Sequence, residues 1–523
     1  MNKTAVFIIL LFALSLFADV IDYVRIELLP VFDETGDYWG PYDYRWAYKV
    51  GNVLHVKSRA STVKRFLTFA PGDTIDESLV DESERRLRKT DFIEDAWITI
   101  IETDSGNTAM VIVRDLWTTK LSPSLSYKGK VLEWAVEAEE INLIGTGVGI
   151  SGIYKHDEDY NSWGAGLKLP RMLPYKTTLS LYYSDATEII GPTYKTISIS
   201  RGRCKDSDNI IYSAGATAVG GEYPTWRDNN TAGPSYLADD YEQFAGAKYL
   251  FSHEFGFGIG IYNSRISRFI EENDFPENPA GYDRRLEVIT SGISFLKREF
   301  TKLRDVDAFG RTEDIPTGSI ISIDAGLGPK GSSPYASVFG VLGLKTGPIY
   351  HNSSFFYRRL NQTETSYVKY LFFSDKFLSS RLCGKFYLGR ISNAPPESYY
   401  RVGGQSCLRS YRTYTQIGQN TVFANIESRI FTPVEILSIR IGGALFIDAG
   451  KAWDGPSLDF DKSDKPFIGD YGLELRFAST SSTTGQILRI SLARTFEGFW
   501  EFELSSGQLF NSYRGLEHNI PLP

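Results

Sequence analysis

The chain has 523 residues, with 64 acidic against 56 basic side chains, a formal net charge of −8, 42% hydrophobic and 14% aromatic residues. This balance, with no concentrated basic patch, excludes a nucleic-acid-binding surface. Many aromatics within a modest hydrophobic total suit a protein with aromatic belts outside and polar residues inside better than a compact enzyme. Cys204, Cys383 and Cys407 are too few and too scattered for a disulfide framework, so unpaired thiols are expected.

Residues 1–18 carry one early charge, Lys3, and then an apolar run that ends at Ala18 before Asp19. The run is too short to span a bilayer and reads as a secretory signal peptide cleaved after Ala18. No other stretch approaches a transmembrane helix, so a membrane location for the exported chain requires a closed β-barrel. Residues 19–48 form a lead-in broken by Gly36, Gly40 and Pro41. A strand is expected there over residues 23–29, and no convincing helix.

Residues 49–118 are better patterned. Residues 52–58 (NVLHVKS) read as a strand and 61–69 as a short helix ending at the Pro71-Gly72 turn. Thr74 and Glu77 match a capping box, opening a helix through Arg88 with Leu79, Ser83 and Leu87 on one stripe. Glu82, Arg85, Arg86 and Arg88 are expected to form its solvated face. Strands over 96–102 and 109–114, joined by a turn at 104–107, complete a small α+β unit.

From residue 119 to 510 the texture changes to short runs of period two. Phe255, Phe257, Ile259 and Ile261 alternate with glycines, a pattern that a soluble sandwich would also produce. Later runs discriminate. Ile439, Ile441, Gly443, Leu445 and Ile447 share one face, and Arg440, Gly442, Ala444, Phe446 and Asp448 the other. Leu473, Leu475 and Phe477 oppose Glu474 and Arg476, while Leu488, Ile490 and Leu492 oppose Arg489 and Ser491. An apolar outside and a charged inside describe a transmembrane barrel. At about 25 residues per strand with its connection, about 16 antiparallel strands are expected. A direct count of runs gives about twenty, a number that alternating loops inflate. Polar insertions at 205–208, 222–240 and 271–284 suit long extracellular loops.

Several motifs fail as sites. Gly147 to Gly152 matches GxGxxG, but a strand continues where the dinucleotide motif requires a helix. His55, His156, His253, His351 and His518 lack metal-ligand spacing. No nucleophile elbow, P-loop or catalytic carboxylate pair is present, so neither an enzyme nor a cofactor is expected. One constellation stands out. Arg401 to Tyr411 reads RVGGQSCLRSY, and Phe446 and Asp448 stand two residues apart in FIDAG, on one face of a strand. If that face lines a cavity that Arg409 enters, the cation gains a carboxylate and an aromatic ring together. Alternation through Asn425 and Arg429 puts Glu427 on the same side.

The α+β unit resembles a POTRA domain. The resemblance is carried by FAPGD from Phe69, ESERRLR from Glu82, FIEDA from Phe92 and VIVRDLW from Val111. NLIGTG from Asn142 looks like the first-strands signature of Omp85 barrels, the outer-membrane assembly family that includes BamA, TamA and the bacterial surface antigen D15 type. ANIESR from Ala424 resembles the charged strand that precedes FIDAG there. Leu408, Arg409, Ser410 and Tyr411 resemble the arginine motif at the tip of that family's sixth extracellular loop, which folds back into the barrel. The family usually has Gly where Ser410 stands, so a strained or different backbone is expected at that position. Trp500, Phe502, Leu504, Gly507 and Phe510 are similar to the C-terminal β-signal of outer-membrane proteins, here trailed by residues 511–523.

The resemblance implies a barrel in the outer membrane with the POTRA domain in the periplasm. Its implied partners are outer-membrane lipids, nascent outer-membrane or secreted protein clients, and periplasmic accessory proteins. The implied function is assembly and insertion of β-barrel clients. A two-partner-type secretion pore for one dedicated protein is the alternative, weakened by the lack of an expected N-terminal helix. A lipid-exporting or purely structural surface barrel is a third reading.

Overall fold

In the computed structural model, strict alternation of apolar and polar side chains becomes one closed wall. The structure describes residues 20–510 apart from short stretches, the longest being 35–44, 271–281 and 456–464. The expected signal peptide and the tail at 511–523 lie outside the described residues. A single sheet contains 20 strands, from Thr119–Lys128 to Trp500–Ser506, each antiparallel to its neighbours. First and last strands pair with each other, and Gly191–Arg201 and Ile210–Tyr223 lie side by side, with Thr196 Oγ1 3.3 Å from Thr217 Oγ1. The ring is therefore complete.

The expected sixteen strands are corrected to twenty. Many connections are two-residue turns, as at Thr346/Ile349, Leu360/Thr363 and Ile436/Ile439. Residues 119 to 506 spread over 20 strands give roughly twenty residues per strand and connection, fewer than the spacing assumed. The two faces of the wall follow the sequence alternation. Leu445 and Leu473 on the outside are 58% and 55% exposed, whereas Asp448 and Arg476 on the inside are fully buried.

The N-terminal unit is a three-stranded sheet with three helices. Strand β1 (Tyr23–Leu29) runs parallel to β3 (Gly106–Asp115), which pairs antiparallel with β2 (Ile93–Thr103). Helices α1 (Arg45–Leu54), α2 (Ala60–Phe66) and α3 (Glu77–Arg88) complete it. Val63, Leu67, Leu87, Phe92, Val111 and Val113 form its core.

Three expectations for this unit are corrected. Residues 52–54 end helix α1 instead of opening a strand, because Tyr48 stacks on Phe32 with ring centroids 5.3 Å apart and Asn52 hydrogen-bonds both backbone groups of Phe32. A helix therefore does begin within the lead-in. Helix α3 is capped by Asp76, whose side chain accepts from Ser78 N at 2.8 Å, and not by Thr74. Its charged face is not solvated, since Arg86 and Arg88 are buried.

Both ends of the barrel can be told apart by the position of this unit. Strand direction alternates from Thr119, so the connection holding 205–208 lies at the same end as the N-terminal unit, not at the far end as expected. Residues 205–208 themselves are outside the described set. Strands Ile210–Tyr223 and Phe255–Ile270 run towards the far end, where the connection at 224–235 begins, and residues 271–281 are outside the described set.

One connection at the near end is unusually long. Between strands Tyr282–Lys297 and Ser319–Leu327 the chain forms a hairpin of Phe300–Arg304 with Thr312–Pro316. Its tip turns into the barrel, with Val306, Asp307, Ala308 and Phe309 buried. Phe309 packs on Phe431 at 4.8 Å between ring centroids. Leu509 and Phe510 join Val306 and Ile315 in the adjoining apolar cluster. The near mouth is thereby filled on one side.

Two of the contacts that join the unit to the barrel involve elements singled out above. Helix α3 meets the hairpin, where Nε and Nη2 of Arg88 engage Asp314, Lys302 reaches Glu84 at 3.1 Å, and Arg85 lies 4.4 Å over the Phe300 ring. The turn of NLIGTG meets helix α2. Arg59 N and Thr62 Oγ1 both donate to Gly145 O at 2.8 Å, and Asn142 Nδ2 donates to Ser58 Oγ at 2.9 Å. The motif is thus a dock for the N-terminal unit.

Candidate functional site

The chain between strands Ser380–Ser392 and Asn420–Ile436 leaves the far end of the wall and folds back inside. A short ladder of Tyr400–Val402 with Gln416–Gly418 forms its stem. Gly403 and Gly404 at the tip have φ of 128° and 68°, the left-handed region that glycine adopts without a Cβ penalty. A Cβ on Gly403 would run into the Arg412 carbonyl. Cys407 and Leu408 are buried in an apolar cluster with Val402, Ala452 and Ile468. Cys383 and Cys407 are buried thiols outside any disulfide among the described residues, while Cys204 lies outside the described residues.

That packing delivers Arg409 to the charged inner wall. Its guanidinium carbon sits 3.8 Å over the Phe446 ring. It pairs with Glu427, with Asp448 at 3.2 Å and with Glu474 at 3.6 Å. Asn425 Nδ2 donates to Asp448 at 2.9 Å and to the Cys407 carbonyl at 2.6 Å, tying the loop to the strand. Ser410 N donates to Asp470 at 2.9 Å. The single hydroxyl proton of Tyr411 has two acceptors in reach, Glu497 at 2.6 Å and Gly469 O at 2.9 Å.

Arg409, Phe446, Asp448 and Glu427 therefore meet as the residue pattern predicts. The strain expected at Ser410 is absent, because the positive φ values fall on Gly403 and Gly404 and Ser410 is not among the left-handed residues.

The network extends past the predicted members. Arg429 bonds Glu427 and the hairpin's Asp307, both at 2.7 Å, and donates to Phe510 O at 2.8 Å. Arg476 binds Glu427 at 3.0 Å, and Arg489 binds Glu474 at 3.1 Å. Each partner matters here. A buried charge left alone is strongly destabilising, whereas one shared among several opposite charges is tolerated. Asp470 was missed in the sequence although it lies in step with Glu474 and Arg476 on one strand face. Asp307 gives no such signal, since it comes from a connection and not from a strand.

The second predicted group divides. Trp500 and Phe502 face outward at 60% and 51% exposure, with Leu504 on the same face. Gly507 is outside the described residues. Phe510 does not continue that outward face: the strand ends at Ser506, and Phe510 is buried inside under Arg429, whose guanidinium lies 4.9 Å over its ring. The seam beside this strand is short. Three residue pairs join it to Thr119–Lys128, against seven to Ile487–Thr495. Among the described residues no cluster of three or more metal-ligating side chains occurs.

No family model matches the chain, and no curated protein matches it either. Solved structures do. CdiB from Acinetobacter baumannii shares 11% identity over 94% of this chain and 74% of its own, with a TM-score of 0.48. CdiB from Escherichia coli shares 10% identity over 94% and 77%, with a TM-score of 0.48. The chain is likewise similar to BamA from Haemophilus ducreyi lacking POTRA domains 1–3, at 14% identity over 92% and 83%, with a TM-score of 0.39.

Proposed function

We propose that this chain is an outer-membrane barrel of Omp85 type that helps β-barrel clients insert, with its N-terminal unit acting as a POTRA domain in the periplasm. The outward apolar face supports the membrane location, because a closed wall is the one sheet that leaves no backbone group unsatisfied in lipid. The observation that carries the functional reading is the seam of three residue pairs. A client strand needs a free edge, and parting Thr119–Lys128 from Trp500–Ser506 costs fewer hydrogen bonds than parting Trp500–Ser506 from Ile487–Thr495. The loop held by Arg409 braces the wall from Asn420 to Thr495, so opening is directed to the seam and away from that side.

A dedicated secretion pore is the second reading. Helix α1 favours it, since a helix ahead of the barrel was the missing feature, and Tyr48 holds it at the near mouth by accepting from Ser438 N at 3.1 Å. Depletion followed by outer-membrane proteomics separates the two. Broad loss of barrel proteins is expected. Loss of a single secreted protein would establish the pore, and an unchanged membrane proteome would overturn the assembly reading.

A further inference from the structure

The hairpin and Phe510 fill one side of the near mouth, and the other side holds a cavity of about 510 Å³. It lies between helix α3 and the inward faces of the strands from Val131–Leu143 to Gly191–Arg201. Phe66 and Phe92 contribute apolar surface. Six cationic side chains line it: Arg85, Arg86 and Lys89 from the helix end, Lys168, Arg171 and Lys176 from the wall. Three carboxylates accompany them, Glu82, Asp91 and Glu139. In a chain of net charge −8 this concentration of positive charge runs against the whole. A concave site with low-dielectric walls focuses such a field onto an anionic ligand.

The backbone holds two of these cations in place. Arg171 and Lys176 have φ of 54° and 57°, and Tyr175 between them 57°. Left-handed backbone at three non-glycine residues, one near the strand end and two in the turn after it, costs free energy and needs a compensating constraint. The constraint is visible: Lys176 Nζ donates to Leu67 O at 3.1 Å, and Arg171 lies 5.5 Å over the Phe66 ring. Both cations are thus held at the cavity rim by contacts with the N-terminal unit. On the opposite wall Glu82 is gripped by Arg85 and Arg86, each at 2.7 Å, which keeps the helix end rigid.

We propose that this cavity binds an acidic, extended polypeptide segment passing between the N-terminal unit and the barrel interior. The volume falls in the range of about 300–1,000 Å³ that holds a ligand of many atoms, more than one inorganic anion requires. The cavity opens on the inner face, so the strand wall separates it from lipid headgroups. The proposal rests on the reading of the barrel as a handler of proteins.

Fluorescence anisotropy on the full chain in detergent micelles tests it, using labelled peptides of alternating Glu and Ser, Gln and Ser, or Lys and Ser. The acidic peptide is expected to bind about tenfold or more tighter than the Gln peptide, with affinity falling as salt rises. Lys168→Glu combined with Arg171→Glu should weaken that binding about tenfold. Lys297→Glu, at an exposed cation of the same barrel end, should leave it unchanged. Heat-dependent gel migration checks that each variant keeps its barrel. Equal affinity for all three peptides, or binding untouched by the paired reversal, overturns the proposal. So does complete displacement by millimolar inorganic phosphate, or binding only when anionic phospholipid is added. Selective acidic-peptide binding beside an unchanged proteome on depletion would keep the site and discard the assembly function.

Discussion

Arg88 of the N-terminal unit engages Asp314 of the barrel hairpin through two nitrogens, Nε at 3.0 Å and Nη2 at 2.9 Å. This fork joins residues 226 positions apart and connects the two parts of the molecule. Both side chains are largely shielded from water. Arg88→Glu is therefore expected to free the unit, at a cost of about 3 kcal/mol for breaking a buried pair. Combining it with Asp314→Arg should restore much of the loss. Protease sensitivity of the segment between the unit and the first barrel strand reads the change.

Arg409→Ala and Asp448→Ala should impair function to similar extents, with the double variant little worse than either. Arg409 is shared among three carboxylates, so its removal leaves several buried anions and should cost about 3–5 kcal/mol in loop docking. Additive losses would show that the two act separately. Growth complementation and cleavage of the loop by added protease provide the two readouts.

Gly145→Ala tests the dock at NLIGTG. Gly145 has φ of 73°, and a Cβ there would collide with the Lys57 carbonyl. Loss of about 1 kcal/mol or more is expected, from left-handed backbone and displaced contact together. Hydrogen exchange of helix α2 should quicken while that of the barrel strands stays unchanged.

Glu94 on β2 gives the N-terminal unit a pH response. Burial raises its carboxyl from 4.5 to about 7, against the opposing pull of Arg114 and Arg311. The folded state thus favours the neutral acid. Its contribution is complete below about 4.5 and declines as pH rises through about 7, so the unit is expected to be more stable at pH 5 than at pH 8. Amide exchange in β2 measures this, and Glu94→Gln should flatten the dependence.

How far the sequence discloses this architecture depends on whether a feature is periodic. Phe446, Asp448 and Glu427 are legible because a strand's alternation fixes the side to which each points. The strand total is not, since it depends on connection lengths that alternation does not encode. Arg85 and Arg88 look like ordinary solvated helix charges until the hairpin meets them. That hairpin comes from a stretch, DVDAFGR, with no period to read. Helix α1 was missed for a related reason: Val50, Gly51 and Val53 are poor helix formers, and Phe32 supplies from outside the contact that holds them helical.

Arg429 ends up holding the chain close to its last described residue, since it donates to the carbonyl of Phe510 and covers its ring. Glu427 is the common point of two inward segments, since it pairs both with Arg409 of the folded-back loop and with the Arg429 that grips Phe510. A loop that enters from the far end and a chain end that enters from the near end thus hang on one buried carboxylate, and its loss would release both together.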